Sequence, residues 1–165
     1  MDKLHPGAKW SFRIGAYIFA LFFIVFFGFF AFPVLIIALT IFKATSIYYL
    51  LTAIFFLLIL FVIIILVEIW VRMSYNRWFY EFTDDGLRLE RGVIWKRYSN
   101  IPYERIQNVD IHRGIIARML GFSTVMIQTA GYSGSPISEG HIPAVEVHKA
   151  EQIRSFVMKK VTKRK

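Results

Sequence analysis

The sequence predicts a membrane α-helical hairpin followed by a mostly-β domain, a partly open barrel or sandwich capped by a C-terminal helix. Three patterns carry this expectation. Residues 14–42 and 44–67 hold no charged side chain and are almost wholly apolar. From Tyr75 to about Ile142 apolar positions alternate with period two between turn residues, the signature of half-buried strands. Beyond Ala144 they recur every three or four residues, as on one face of a helix.

Each apolar run exceeds the roughly 20 helical residues that cross a bilayer. A water-soluble fold of 165 residues cannot bury two helices that are apolar all round, so lipid must cover them. The first run is also far longer than a signal-peptide core of about 7–15 residues, so both helices are expected to be retained. The chain divides accordingly into an N-terminal lead (1–13), a two-helix transmembrane hairpin (14–71) and a domain with a C-terminal helix and basic tail (72–165).

The net charge of +9 is unevenly spread. Lys3, Lys9 and Arg13 face only Asp2 in the lead, while residues 72–165 hold 16 Lys or Arg against 9 Asp or Glu. A basic domain tethered to a membrane points to anionic lipid headgroups before nucleic acid, and no nucleic-acid partner is expected. There is no cysteine, which excludes disulfides and thiolate chemistry. Basic residues flank the spans on the lead side and at Arg72 and Arg77, whereas the turn holds only Lys43. The positive-inside rule then places both termini in the cytoplasm and the Lys43–Ser46 turn outside, a multi-pass protein of the cell membrane.

Within the first span the Phe series from Phe19 to Phe32 reads as apolar bulk, and Pro33 is expected to kink the helix. Glu68 and Arg72 are four apart, a spacing that lets them pair where the second span emerges. Trp78, Tyr80 and Phe82 share one strand face. Asp84-Asp85-Gly86 marks a hairpin turn through residues that tolerate positive φ. Leu87 and Leu89 point inward on the return strand, which Gly92 breaks. Val93 to Ile101 reads as a third strand and Ile106 to His112 as a fourth, with a bulge near Gln107-Asn108 because Ile106 and Val109 differ in parity. A short helix from Ile115 to Leu120 ends at Gly121. A fifth strand covers Thr124 to Thr129, a loop Gly131 to Pro136 and a last strand Ile137 to Ile142. The closing helix carries Val147, Ala150, Ile153, Val157 and Val161 on one face.

Several of these residues form an ordered set: Tyr80-x-x-Thr83-Asp84-x-Gly86-Leu87, Arg91-Gly92, Ile101-Pro102-x-x-Arg105-Ile106-Gln107-x-Val109, Gly114, Arg118-x-x-Gly121 and Thr129-Ala130-Gly131. With Leu4-His5-Pro6 and two spans before the domain, the set resembles the bacterial pleckstrin-homology (PH) domain membrane proteins, the YdbS-like group long carried as a domain of unknown function. The resemblance covers most of residues 4–131. It implies a PH-like barrel closed by the C-terminal helix, attachment to the cytoplasmic membrane, no enzymatic activity, and participation in an assembly with relatives that carry several such domains.

The chemistry-bearing residues agree with a non-catalytic reading. His5, His112, His141 and His148 lack metal-ligand spacing, and Asp110 beside His112 has no nucleophile or third partner. Neither a metal, a cofactor nor a catalytic site is expected. Gly131-Tyr132-Ser133-Gly134 lacks the Gly-Lys-Ser/Thr ending of a phosphate loop. Two groups are candidates for contact. Arg88, Arg91, Lys96 and Arg97 lie across a predicted hairpin and offer a partner or headgroup surface. Lys159, Lys160, Lys163, Arg164 and Lys165 offer contact with the membrane surface. The expected function is a membrane-anchored interaction module that docks another membrane protein, with the strand edge near Ile137 to Ile142 as one docking place. Headgroup binding through the basic surface is the alternative.

Overall fold

The structure is a computed structural model that describes residues 1–41, 43, 45–130 and 140–163. The chain forms two compact units, residues 13–71 and a second made of residues 1–12 with 72–165. The hairpin is therefore an insertion in the β-domain, near its N-terminus.

Helix α1 runs Ala8–Ile41 and α2 Ser46–Asn76. Both are long and apolar enough to cross a membrane, and their most apolar windows are 0% and 6% buried by protein. A core helix of a soluble protein would be covered; these are not. Pro33 lies inside α1, which continues past it to Ile41. Rings four residues apart meet along α1, with Phe19 and Phe23 centroids 4.7 Å apart and Phe26 and Phe30 5.4 Å apart. Lys43, between the helices, takes a left-handed φ of 46°.

The expected Glu68–Arg72 pair is replaced by one across the hairpin. Arg13 donates from Nε and Nη2 to the two Glu68 carboxylate oxygens at 2.8 and 2.7 Å, and the Tyr17 hydroxyl reaches the same carboxylate at 3.3 Å. A planar guanidinium matches a carboxylate with two parallel bonds, so this geometry outcompetes a single contact along one helix.

The β-domain is a sandwich of two antiparallel sheets. One has the order β1-β2-β3-β4, with β1 Asp2–Lys3, β2 Phe79–Phe82, β3 Gly86–Arg91 and β4 Arg97–Pro102. The other has the order β5-β6-β7, with β5 Ile106–His112, β6 Phe122–Thr129 and β7 Gly140–Glu146. A 3-10 turn, Tyr103–Arg105, joins the sheets, and the short helix α3, Ile115–Met119, joins β5 to β6. The strands are not hydrogen-bonded into a closed barrel. Helix α4, Val147–Lys163, lays Ala150, Ile153 and Val157 on the core formed by Tyr80, Leu87, Leu89, Ile101, Tyr103, Val125 and Ile127.

Several local expectations hold. A register shift lies between Ile106 and Asn108, the bulge that the differing parity of Ile106 and Val109 requires. Gly121 ends α3 with φ +72°. The Asp84-Asp85-Gly86 hairpin forms, with Phe82 opposite Leu87, but for a different reason than positive φ. Asp84 and Asp85 form the turn, closed by the Thr83 N–H on the Gly86 carbonyl at 2.9 Å. Gly86 is required by crowding, since a Cβ there would collide with the Ile101 carbonyl oxygen.

Several boundaries move. Helix α1 already begins at Ala8, and α2 continues to Asn76, so the strand period starts at Phe79 and not at Tyr75. The third strand starts at Arg97, not Val93, because Gly92 at φ +121° opens a turn that continues to Lys96. The last strand reaches Glu146, so residues 144–146 are strand and not helix. A bulge opposite Ser123 and Val125 breaks the two-residue period there and buries Ile142, Ala144 and Val145 together. Residues 137–139 of that expected strand, the loop Gly131 to Pro136 and part of the 43–46 turn lie outside the described residues. Finally, the lead is not a separate segment. Asp2 and Lys3 pair with Tyr80 and Phe79, the His5 N–H donates to the Ala144 carbonyl at 3.0 Å, and Leu4 and Ala8 are buried in the core.

Candidate functional site

The β3–β4 hairpin is where the predicted contact residues converge, and the strand pleat divides them. Arg88 and Glu90 face outward from β3; Arg91 shares the parity of the inward Leu87 and Leu89. Arg91 stands directly opposite Arg97 on β4. Two guanidinium groups in register repel one another, and among the described residues neither has a carboxylate within ion-pair distance. Burial, then the nearby Arg97 charge, pushes the Arg91 pKa below its usual value. His141 on β7 is held below the ordinary imidazole range, first by burial and then by the Arg91 charge. Arg91 and Arg97 thus make a cationic end of the sandwich, beside a His141 whose protonation burial and the Arg91 charge oppose.

On the outer face Lys96 bonds Glu90 at 2.9 Å and lies 6.0 Å from the Tyr98 ring centre. The hydrogen bond to Glu90 raises the Lys96 pKa and keeps it charged. Arg88, opposite Asn100, is exposed. The four cations therefore form two surfaces around one hairpin rather than a single patch.

The turn itself occupies what the sequence pattern predicts as the start of the third strand. Ile94 is 72% exposed, Trp95 86% and Tyr98 67%. Arg77, one residue beyond α2, donates from Nη1 to the Val93 carbonyl at 2.9 Å and ties the turn to the point where the chain leaves that helix. The signal available was Gly92 followed by Val-Ile-Trp and then Lys-Arg: a left-handed glycine before an apolar tip and a basic pair.

The second candidate group lies on α4 and beyond it. Lys159 is exposed. Lys160 is turned to the domain, 3.5 Å from Asp84 and 5.7 Å from the Phe156 ring centre. Lys163 ends the helix, and Arg164 and Lys165 lie outside the described residues.

The Asp110 carboxylate accepts from Asn108 Nδ2 at 2.9 Å and from Gln128 Nε2 at 2.7 Å, which occupies both of its oxygens. Among the described residues no three His, Cys, Asp or Glu side chains gather as a metal site. Within the hairpin, a groove of about 790 Å³ is walled by apolar side chains such as Phe27, Leu35 and Phe55. Its polar wall residue, Thr52, spends its hydroxyl on the Tyr48 carbonyl at 2.8 Å.

Two uncovered apolar helices and a small basic sandwich closed by one helix define a membrane protein with a PH-like domain. The bacterial PH domain family matches residues 12–161, and the chain belongs to that family. Over 93 residues it is 29% identical to the UPF0699 transmembrane protein YdbT of Bacillus subtilis (strain 168), covering 56% of this chain and 18% of that protein. It is 26% identical over 93 residues to the UPF0699 transmembrane protein YdbS of the same organism, covering 56% of this chain and 55% of that protein. The chain thus spans about a fifth of one curated relative and about half of the other. No solved structure gives a significant match.

Proposed function

We propose that this chain is a non-catalytic interaction module that docks another membrane protein in an assembly at the cytoplasmic face of the cell membrane. One observation carries the reading. The hairpin is inserted between β1 and β2, so the domain is joined to its membrane helices by two chain connections. A free PH-like domain needs lipid affinity to find its membrane; this one is already delivered. Tethering gives an effective local concentration of roughly millimolar, which turns weak contacts made in the membrane plane into stable ones. The partner proposed is a protein with domains of the same kind, since one relative is several times longer than the segment it shares with this chain.

Both termini are placed in the cytoplasm on the charge flanking the spans. A cysteine introduced at Thr45 should react with an impermeant maleimide on whole cells, and one at Arg154 should not. The reverse pattern rejects the orientation. For the assembly, the full-length protein extracted at native level into lipid nanodiscs should have a mass well above one chain. A lone chain there rejects the module reading, and low-micromolar selection of one headgroup in high salt would establish the lipid-binding alternative instead.

A further inference from the structure

We propose that the β3–β4 turn, residues 92–96, is a third membrane attachment that seats Ile94 and Trp95 in the headgroup region of an anionic bilayer. This goes beyond the docking role and stands independently of it. Ile94 and Trp95 expose 72% and 86% of their surface at the apex of a two-stranded hairpin, largely uncovered among the described residues. Indole and phenol rings partition to the membrane interface because one edge is apolar and one is wet, and Tyr98 lies just behind the apex. The cations around the apex complement lipid phosphates. Arg97 and Lys96 follow it directly, Arg91 is opposite Arg97, and the Arg77 guanidinium sits on the Val93 carbonyl. Arg77 is also the residue that follows α2, so the chain that emerges from the second apolar helix holds the turn by a direct hydrogen bond.

Helix α3 exposes Ile115 and Met119 to a similar degree, 70% and 81%. Its residues, Ile-Ile-Ala-Arg-Met, offer no aromatic ring. The observations therefore favour the β3–β4 turn. Its occupant is the lipid interface: the turn combines an apolar tip, an interfacial ring and a basic collar, and the chain already carries two membrane-length helices.

The test uses the full chain, which has no cysteine of its own. Ile94→Cys, Met119→Cys and Arg154→Cys are each labelled with an environment-sensitive fluorophore. They are placed in phosphatidylcholine nanodiscs with or without phosphatidylglycerol, and spin-labelled lipid serves as quencher. The label at 94 should be quenched at least about twofold more than the label at 154, with a blue-shifted emission. Adding phosphatidylglycerol should increase that quenching, and Lys96→Gln with Arg97→Gln should remove the increase. Equal quenching at 94 and 154 overturns the proposal. Quenching at 119 but not at 94 overturns it too, by moving the contact to α3. Quenching at 94 that ignores phosphatidylglycerol overturns the role of the cations. Trp95→Ser, at an 86% exposed position, should lower quenching at 94 with the melting temperature unchanged; full quenching in that variant counts against the proposal.

Discussion

Single atoms decide much of the β-domain. Gly86 has ordinary backbone angles, yet the Ile101 carbonyl oxygen occupies the space of its missing Cβ. Gly86→Ala must push two hydrogen-bonded strands apart, because the obstacle is backbone and cannot rotate away. It should lower stability by about 3 kcal/mol in thermal unfolding of the full chain. A variant as stable as the parent would show that the hairpin relaxes at little cost. His141 makes a second prediction. Unfolded, it takes its proton near 6.5; folded, burial and then the Arg91 charge oppose protonation. The unfolded state thus binds more protons, so the stability of the native state is complete above that pH and declines as pH falls through it. His141→Gln should make the melting temperature less sensitive between about pH 7.5 and 5.5 than in the parent. An acid limb identical in both proteins would rule His141 out as its cause.

At the scale of elements, the hairpin is stapled where Arg13 meets Glu68. Their side chains are 30% and 31% exposed, so solvent screening discounts the bond relative to a fully buried pair. Arg13→Ala or Glu68→Ala should weaken helix association, read as a lower thermal stability of the protein in mild detergent. The exchanged pair, Arg13→Glu with Glu68→Arg, should restore most of it. If the double exchange is as weak as either single variant, the loss comes from packing and not from charge. Spacing within α2 pointed to Arg72 instead, because periodicity along one helix is blind to what a neighbouring helix presents. The same blindness explains β1. A two-residue strand has no period to detect, and its partners Phe79 and Tyr80 lie more than seventy positions away.

For the whole molecule, the insertion of a membrane hairpin into a small sandwich has a direct consequence. A fragment beginning at residue 73 lacks β1 and leaves the sites of Leu4 and Ala8 empty, both at 3% exposure or less. Loss of those contacts should destabilise it by roughly 3–5 kcal/mol, enough to deprive a small domain of most of its stability. Joining residues 1–12 to 72–165 through a flexible linker in place of the hairpin should restore cooperative unfolding. The comparison is read by circular dichroism and melting of the two soluble proteins. Equal stability in both would mean that the lead contributes only surface contacts.

Residue order alone established the two membrane-length helices, a change to strand period after the second of them, the bulge after Ile106, the Gly121 stop and the apolar face of α4. Each depends on residues close in the chain, and the hydrophobic effect writes their period directly into the order of side chains. It also supplied the list of candidate cations on the β3–β4 hairpin. Their division follows from strand pairing, with Arg91 and Arg97 in register on one face and Lys96 held by Glu90 on the other. Only the fold brought Arg13 to Glu68, Asp2 to Lys149 at 2.6 Å, and the lead into the core. Pairings between distant residues follow from how whole sheets and helices pack, which no local pattern encodes. The exposed Ile94-Trp95 turn lay between these cases. Its apolar residues matched a strand until the left-handed Gly92, crowded by the Trp95 carbonyl, turned the chain outward.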